Sequence, residues 1–267
     1  MAKPKGGSGR GRSDLSKTPS QIVLQNHQFL LPTTATQAAH IFNFGQKRFF
    51  SAEMVADVFN PYRHQEFELS PLVPPIQTIV PHTPSALRHL ARASDQNWLL
   101  FYSYGLCLAD LYLMFGEQKN DEPSFCPCAP CNKYSGLWLY NEWARKSVEP
   151  GYYFLDTESR AHNLPYHEQN DAIAKLGRGE LERAPTSLIA EAFFAAHLIT
   201  GENLFRFFQW GEGYNTAKKM RVMVGNGEAT PHKEKSLIIV GADPEKGRTD
   251  TGVYVRKLPE IKNIILA

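Results

Sequence analysis

The chain has little of what usually betrays a function. No segment resembles a secretory leader: the first residues are rich in Gly, Lys and Arg and carry no apolar run, so a cytoplasmic protein with reduced thiols is expected. The most apolar stretch, Trp98 to Phe115, is interrupted by Ser103, Gly105 and Asp110. A membrane helix needs about 20 predominantly apolar residues, so no membrane partner is expected. There is no internal repeat. No Gly-x-Ser-x-Gly elbow occurs, so nothing points to a serine hydrolase of that kind. Net charge is also scarce, at a formal +2 over 267 residues.

That small charge is unevenly placed. Residues 1–17 carry Lys3, Lys5, Arg10, Arg12 and Lys17 against Asp14, a net of +4, which leaves −2 for everything that follows. Interleaved with Gly6, Gly7, Ser8, Gly9 and Gly11, these cations can bury nothing, and residues 1–20 read as a disordered basic tail. The tail is either a solubilising leader or an electrostatic arm for the phosphates of DNA or RNA. Residues 21–267 read as a single globular domain, with a subdivision near 120–135 where cysteine and proline concentrate. At 42% hydrophobic and 12% aromatic content over its full length, the chain has ample material for a packed core.

Helices dominate the reading. Ser51 caps a short one over Ala52 to Phe59, and residues 70–84 are Pro-rich and extended. Thr83-Pro84 opens a helix through Leu90, and another is expected from Asp95 to Phe115. A further helix is expected around Leu137 to Ala144, with Tyr152 to Leu155 a strand. Pro185-Thr186 starts the strongest helix, apolar nearly all round to Ile199, with Gly201 placed as its terminal cap. Val222–Val224, Leu237–Val240 and Val253–Val255 then read as three strands of one small sheet, with Ile261–Leu266 a further element. The fold class expected is α+β: a predominantly helical body with a small, C-terminal, mainly antiparallel β-sheet.

Against this background, three of the four cysteines fall within six residues, Cys126-Pro127-Cys128-Ala129-Pro130-Cys131. Cys128 and Cys131 have the two-residue spacing that aims both sulfurs at one tetrahedral zinc, and Cys126 adds a third thiolate. The fourth ligand would be His162, His167 or Cys107, although Cys107 sits among leucines as a small core residue does. Redox chemistry is a second reading, because Cys128-Ala129-Pro130-Cys131 resembles, over four residues, the active-site tetrapeptide of thioredoxin-like proteins. The polar run Lys119 to Ser124 stands where that fold places a hydrophobic strand, which counts against it. Packed, inert thiols in a stiff loop are the third reading.

Other candidates are weaker. Asp156, Glu158, His162, His167, Glu168 and Asp171 crowd into sixteen residues, the oxygen and imidazole set of a metal-dependent hydrolase, but the two histidines are five apart and fit no helical ligand spacing. A polar loop leading into a helix is the simpler reading. Gly241 to Thr249 imitates a phosphate loop yet has Arg248 in place of Lys and Pro244 in place of an amide donor, so it reads as a hairpin loop. Gly225-Asn226-Gly227 is a turn signal, and no nucleotide cofactor is expected. Glu191 and His197, six apart in the apolar helix, read as structural. The sum favours binding over catalysis: a nucleic-acid-associated or scaffold protein with a structural zinc on Cys126, Cys128 and Cys131. The alternative is an enzyme using either Cys128 and Cys131 or the 156–171 cluster, and a module with protein partners alone is the third class.

Overall fold

The computed structural model describes residues 48–63, 70–74, 97–116, 123–125, 141–177, 181–215, 219–226 and 236–257. The basic tail, the helix expected from Thr83, the cysteine loop and Ile261–Leu266 lie outside them.

The body is not predominantly helical. Among the described residues it is a mixed α/β structure in which four α-helices pack with two five-stranded sheets. The first sheet runs β1 (Phe49–Phe50), β2 (Trp98–Ser103), β4 (Gly151–Asp156), β10 (Val255–Lys257) and β5 (Leu181–Arg183). Only β1 and β2 are parallel in it. The second runs β3 (Ser124–Phe125), β8 (Ser236–Ala242), β7 (Met220–Gly225), β6 (Phe208–Asn215) and β9 (Thr251–Gly252), with antiparallel β8–β7–β6 at its centre.

The three C-terminal strands expected to share one sheet are divided between both. Val222–Val224 and Leu237–Val240 pair as β7 and β8, while Val255 belongs to β10 of the other sheet. The segment 243–250 is likewise not a hairpin loop. It joins β8 to β9, which sits at the far edge beside β6.

The largest departure is at 98–115, where one helix was expected. Trp98-Leu-Leu-Phe-Tyr-Ser103 is a strand whose six residues are all buried. A strand covered on both faces shows no alternation, so its apolar run carries no period to separate it from a helix. The chain turns at Gly105, with φ +71, and restarts as α2 (Leu108–Phe115). Asp110 Oδ2 reaches back to accept from the Cys107 amide at 3.0 Å, fixing that start.

Two helices follow their signals closely. In α1 (Ala52–Phe59), Ser51 Oγ accepts from Met54 N at 3.3 Å as the cap. The long helix α4 (Thr186–Thr200) ends on Gly201 in the left-handed conformation. Pro185 offers no capping side chain, so Glu212 of β6 accepts instead from Thr186 N at 3.1 Å and from its hydroxyl. Every residue from Thr186 to His197 is buried, because α4 packs against α1 and α2 and against strands of both sheets. Phe193, Phe194 and Leu188 therefore belong to one core with Phe101, Leu155, Val224 and Leu237. The remaining helix, α3 (Tyr166–Gly177), is more polar and lies against β5.

Candidate functional site

At the end of the first sheet where β4 finishes and β2 begins, three loops enclose an open cavity of about 520 Å³. Its walls come from Asn97, from the Thr157–His162 turn after β4, and from Asn203 to Phe207 after α4.

The β4 turn is built around a buried ion pair. Asp156 is fully buried; its Oδ2 accepts from Arg160 Nε at 2.6 Å and its Oδ1 from Glu158 N at 3.0 Å. Burial raises the Asp156 pKa, while these hydrogen bonds and the Arg160 charge pull it back. Arg160 also meets Glu158 at 3.2 Å and forms a two-way backbone bridge with Val253. Thr157 donates from its amide and hydroxyl to Asn97 O, at 2.9 and 2.7 Å, and Arg48 donates to Asn97 Oδ1 at 2.9 Å.

His162 sits between two residues, Ala161 and Asn163, held at φ +53 and +59. A left-handed alanine is strained by roughly 1–2 kcal/mol, so the surrounding contacts must hold it. One of these is the hydrogen bond from Gln169 Nε2 to Ala161 O at 3.2 Å. His162 Nε2 lies 3.0 Å from Ser159 O, and since a carbonyl only accepts, Nε2 carries a proton. In the neutral ring Nδ1 is then an acceptor, and it is enclosed with no partner among the described residues, as is Ser159 Oγ. Gly252 lies directly beneath: a Cβ there would come within 2.1 Å of Ser159 Oγ and 2.9 Å of His162 Cε1. The strand can approach this turn only without a side chain.

The opposite wall follows the α4 cap. Asn203 Oδ1 accepts from Phe205 N at 2.9 Å, Phe205 is buried, and Phe207 N donates to the Tyr254 hydroxyl at 2.8 Å. Between the two anchored phenylalanines Arg206 is exposed and forms no ion pair with another described residue. The Phe207 ring meets His162 edge to face, centroids 4.5 Å apart. The cavity thus combines the Arg206 guanidinium, the Glu158 carboxylate that Arg160 engages, an aromatic pair, two carboxamides, and buried polar atoms with no hydrogen-bond partner among the described residues. That composition suits a polar, partly aromatic ligand bearing negative charge.

The sequence candidates are distributed as follows. His162 lines the cavity, whereas His167 is exposed on the first turn of α3, 3.9 Å from Glu168 and 3.8 Å from Glu245. Asp156 and Glu158 are engaged by Arg160, and Asp171 is exposed on α3. Among the described residues no group of three or more His, Cys, Asp or Glu side chains is placed to hold a metal ion. Cys126, Cys128 and Cys131, and Lys3, Lys5, Arg10, Arg12 and Lys17, lie outside the described residues. Cys107 is a buried free thiol whose pKa burial pushes up. Glu191 does not pair with His197; it accepts from Ser103 Oγ and Tyr104 N, both at 2.6 Å, while His197 stacks on Phe193. Ser159, Asn203, Arg206 and Phe207 were not singled out from sequence, although an arginine set inside the aromatic run 205–208 is a readable signal.

Among the described residues no helix is long and apolar enough to cross a membrane. No family model, no curated protein and no solved structure matches this chain.

Proposed function

We propose that this chain is a non-catalytic, nucleic-acid-associated protein that takes a single-stranded segment into the 157–162 and 203–207 cavity. The observation that carries the reading is the exposed Arg206, in no ion pair with a described residue, beside the Phe207–His162 ring pair. Single-strand binders combine a cation for the backbone with a ring on which a base stacks. Asn97 and Asn203 add amide groups able to meet base edges, and the cavity at about 520 Å³ falls in the usual size range of small-ligand sites. The basic residues Lys3, Lys5, Arg10, Arg12 and Lys17 add sequence-independent phosphate contacts. The Cys126, Cys128 and Cys131 loop holds a structural zinc within the same proposal, on the strength of its thiolate spacing.

The test is fluorescence anisotropy of a labelled single-stranded oligonucleotide with the full chain and two cavity variants. Phe207→Leu keeps apolar volume but removes the ring, and the loss of one stacked base should weaken binding by about 1–3 kcal/mol. Arg206→Ala should flatten the dependence of log K on log salt by about 0.7. Unchanged affinity and slope in both variants would remove the cavity from the account.

A further inference from the structure

Among residues that do not line the cavity, two arginines converge on one tyrosine. The guanidinium carbon of Arg221, on β7, lies 3.8 Å from the centroid of the Tyr166 ring, and that of Arg183, on β5, lies 4.7 Å from it. Arg183 donates to Gln169 Oε1 at 3.2 and 3.3 Å and to Asn170 Oδ1 at 2.9 Å. Arg221 directs Nη1 to the carbonyls of Gly211 and Glu212, at 3.0 and 3.4 Å. All of these acceptors are neutral. The Nε–H of each arginine is enclosed and has no partner among the described residues.

Two guanidiniums this close need a counter-charge. Glu212 is the acid in reach, but its carboxylate accepts from Thr186 N and Thr186 Oγ1 at the start of α4. Neither arginine forms an ion pair with it. Burial pushes the Arg183 pKa down to about 10 and the nearby Arg221 charge adds to the fall, which Tyr166 and the more distant Glu212 carboxylate only partly offset. A buried N–H without an acceptor is costly, so two of them on neighbouring guanidiniums whose hydrogen-bond acceptors are all neutral mark a position for an acceptor that carries negative charge.

We infer that Arg183 and Arg221, held apart and oriented by the Tyr166 ring, form a binding site for a tetrahedral oxyanion of the phosphate class. Arginine suits this ligand because its planar fork offers parallel N–H donors to oxyanion oxygens, with Nε–H as one of them. The site stands independently of nucleic-acid binding at the cavity, since it shares no residue with it. Its ligand is free phosphate or a phosphate group of a larger molecule, and both present the same oxygens.

Thermal unfolding of the full chain in inorganic phosphate tests this, at constant ionic strength made up with chloride. The midpoint should rise by several degrees with phosphate and saturate, as expected for a ligand that binds only the folded state. Arg221→Gln should abolish the phosphate-dependent rise, and Arg221→Lys, which keeps the charge but loses the fork, should weaken apparent affinity at least tenfold. Circular dichroism checks that both variants fold; if either does not, Arg183→Lys serves in its place. If phosphate displaces a bound oligonucleotide through this site, the ligand is a backbone phosphate. If it raises the midpoint without displacing one, the ligand is the free anion. A midpoint equal in phosphate and chloride, or a rise retained in the Arg221→Gln variant, overturns the assignment.

Discussion

Glu191 makes the stability of this protein depend on pH in a direction opposite to that of most acidic residues. Its carboxyl is completely buried in α4, where burial pushes the pKa from 4.5 up to about 7. Hydrogen bonds from Ser103 Oγ, Tyr104 N and Leu106 N pull the other way, and Asp110 adds repulsion, but burial prevails. Between pH 4.5 and 7 the unfolded chain has released this proton and the folded chain retains it, so raising the pH through that window favours unfolding. The contribution is fully present below pH 4.5, declines across the window and is constant above pH 7. A displacement from 4.5 to about 7, at 1.36 kcal/mol per unit, makes the loss roughly 3 kcal/mol. Other groups titrate over the same range, so the comparison must be with Glu191→Gln, which has nearly the same shape and no charge to lose. Chemical denaturation at pH 4, 5, 6, 7 and 8 should show wild type losing roughly 3 kcal/mol relative to the Gln variant as pH rises. A constant difference, or a wild type that gains on the variant with pH, would refute the reasoning. Glu191→Ala should be worse than Gln at every pH, because the Ser103 hydroxyl and the Tyr104 amide lose their acceptor; a cost of roughly 3 kcal/mol or more is expected.

Two further outcomes follow from packing and from the cysteine spacing. Gly225 ends β7 at φ +156, and a Cβ there would stand 2.2 Å from Phe207 O and 2.7 Å from Phe208 Cα. Since backbone must move, Gly225→Ala should destabilise by about 2 kcal/mol or more and, by displacing Phe207, weaken oligonucleotide binding as well; unaltered thermal stability would contradict this. For the Cys126, Cys128 and Cys131 loop, native mass spectrometry without chelator should show a zinc-sized increment that chelator removes. The plain reduced mass would exclude the zinc, and a mass two hydrogens light would favour a disulfide.

What the sequence conveyed depended on whether a signal was local. Ser51, Pro185 and Gly201 act within a turn of the residues they cap, and α1 and α4 lie where those residues put them. Tyr152–Leu155 was likewise readable as a strand and lies within β4. β2 was not, because burial on both faces erases the alternation that distinguishes strand from helix. β6 drew no reading, since Gly211, Glu212 and Gly213 interrupt its apolar pattern, although Glu212 is there to cap α4 from across the fold. The assignment of Val255 to a different sheet from Val224 is a matter of long-range pairing, for which no local pattern exists. At the site, His162 stood out by residue type, but its partners are Ser159 next to it and Phe207 from a loop 45 positions away. The hydrolase-like gathering of Asp156, Glu158 and His162 dissolved because Arg160, inside the same segment, takes both carboxylates.

The central claim is tested most directly by the salt dependence of single-strand binding, measured for the full chain and for a chain lacking residues 1–17. Five tail cations and Arg206, at about 0.7 per phosphate contact on single strands, predict a slope near −4. That corresponds to a loss of affinity of roughly 300-fold between 50 and 200 mM salt. Deleting the tail should leave weak binding with a slope near −0.7, the share of Arg206. Binding that ignores salt, binding unchanged by the deletion, or no binding at 50 mM salt would contradict the account.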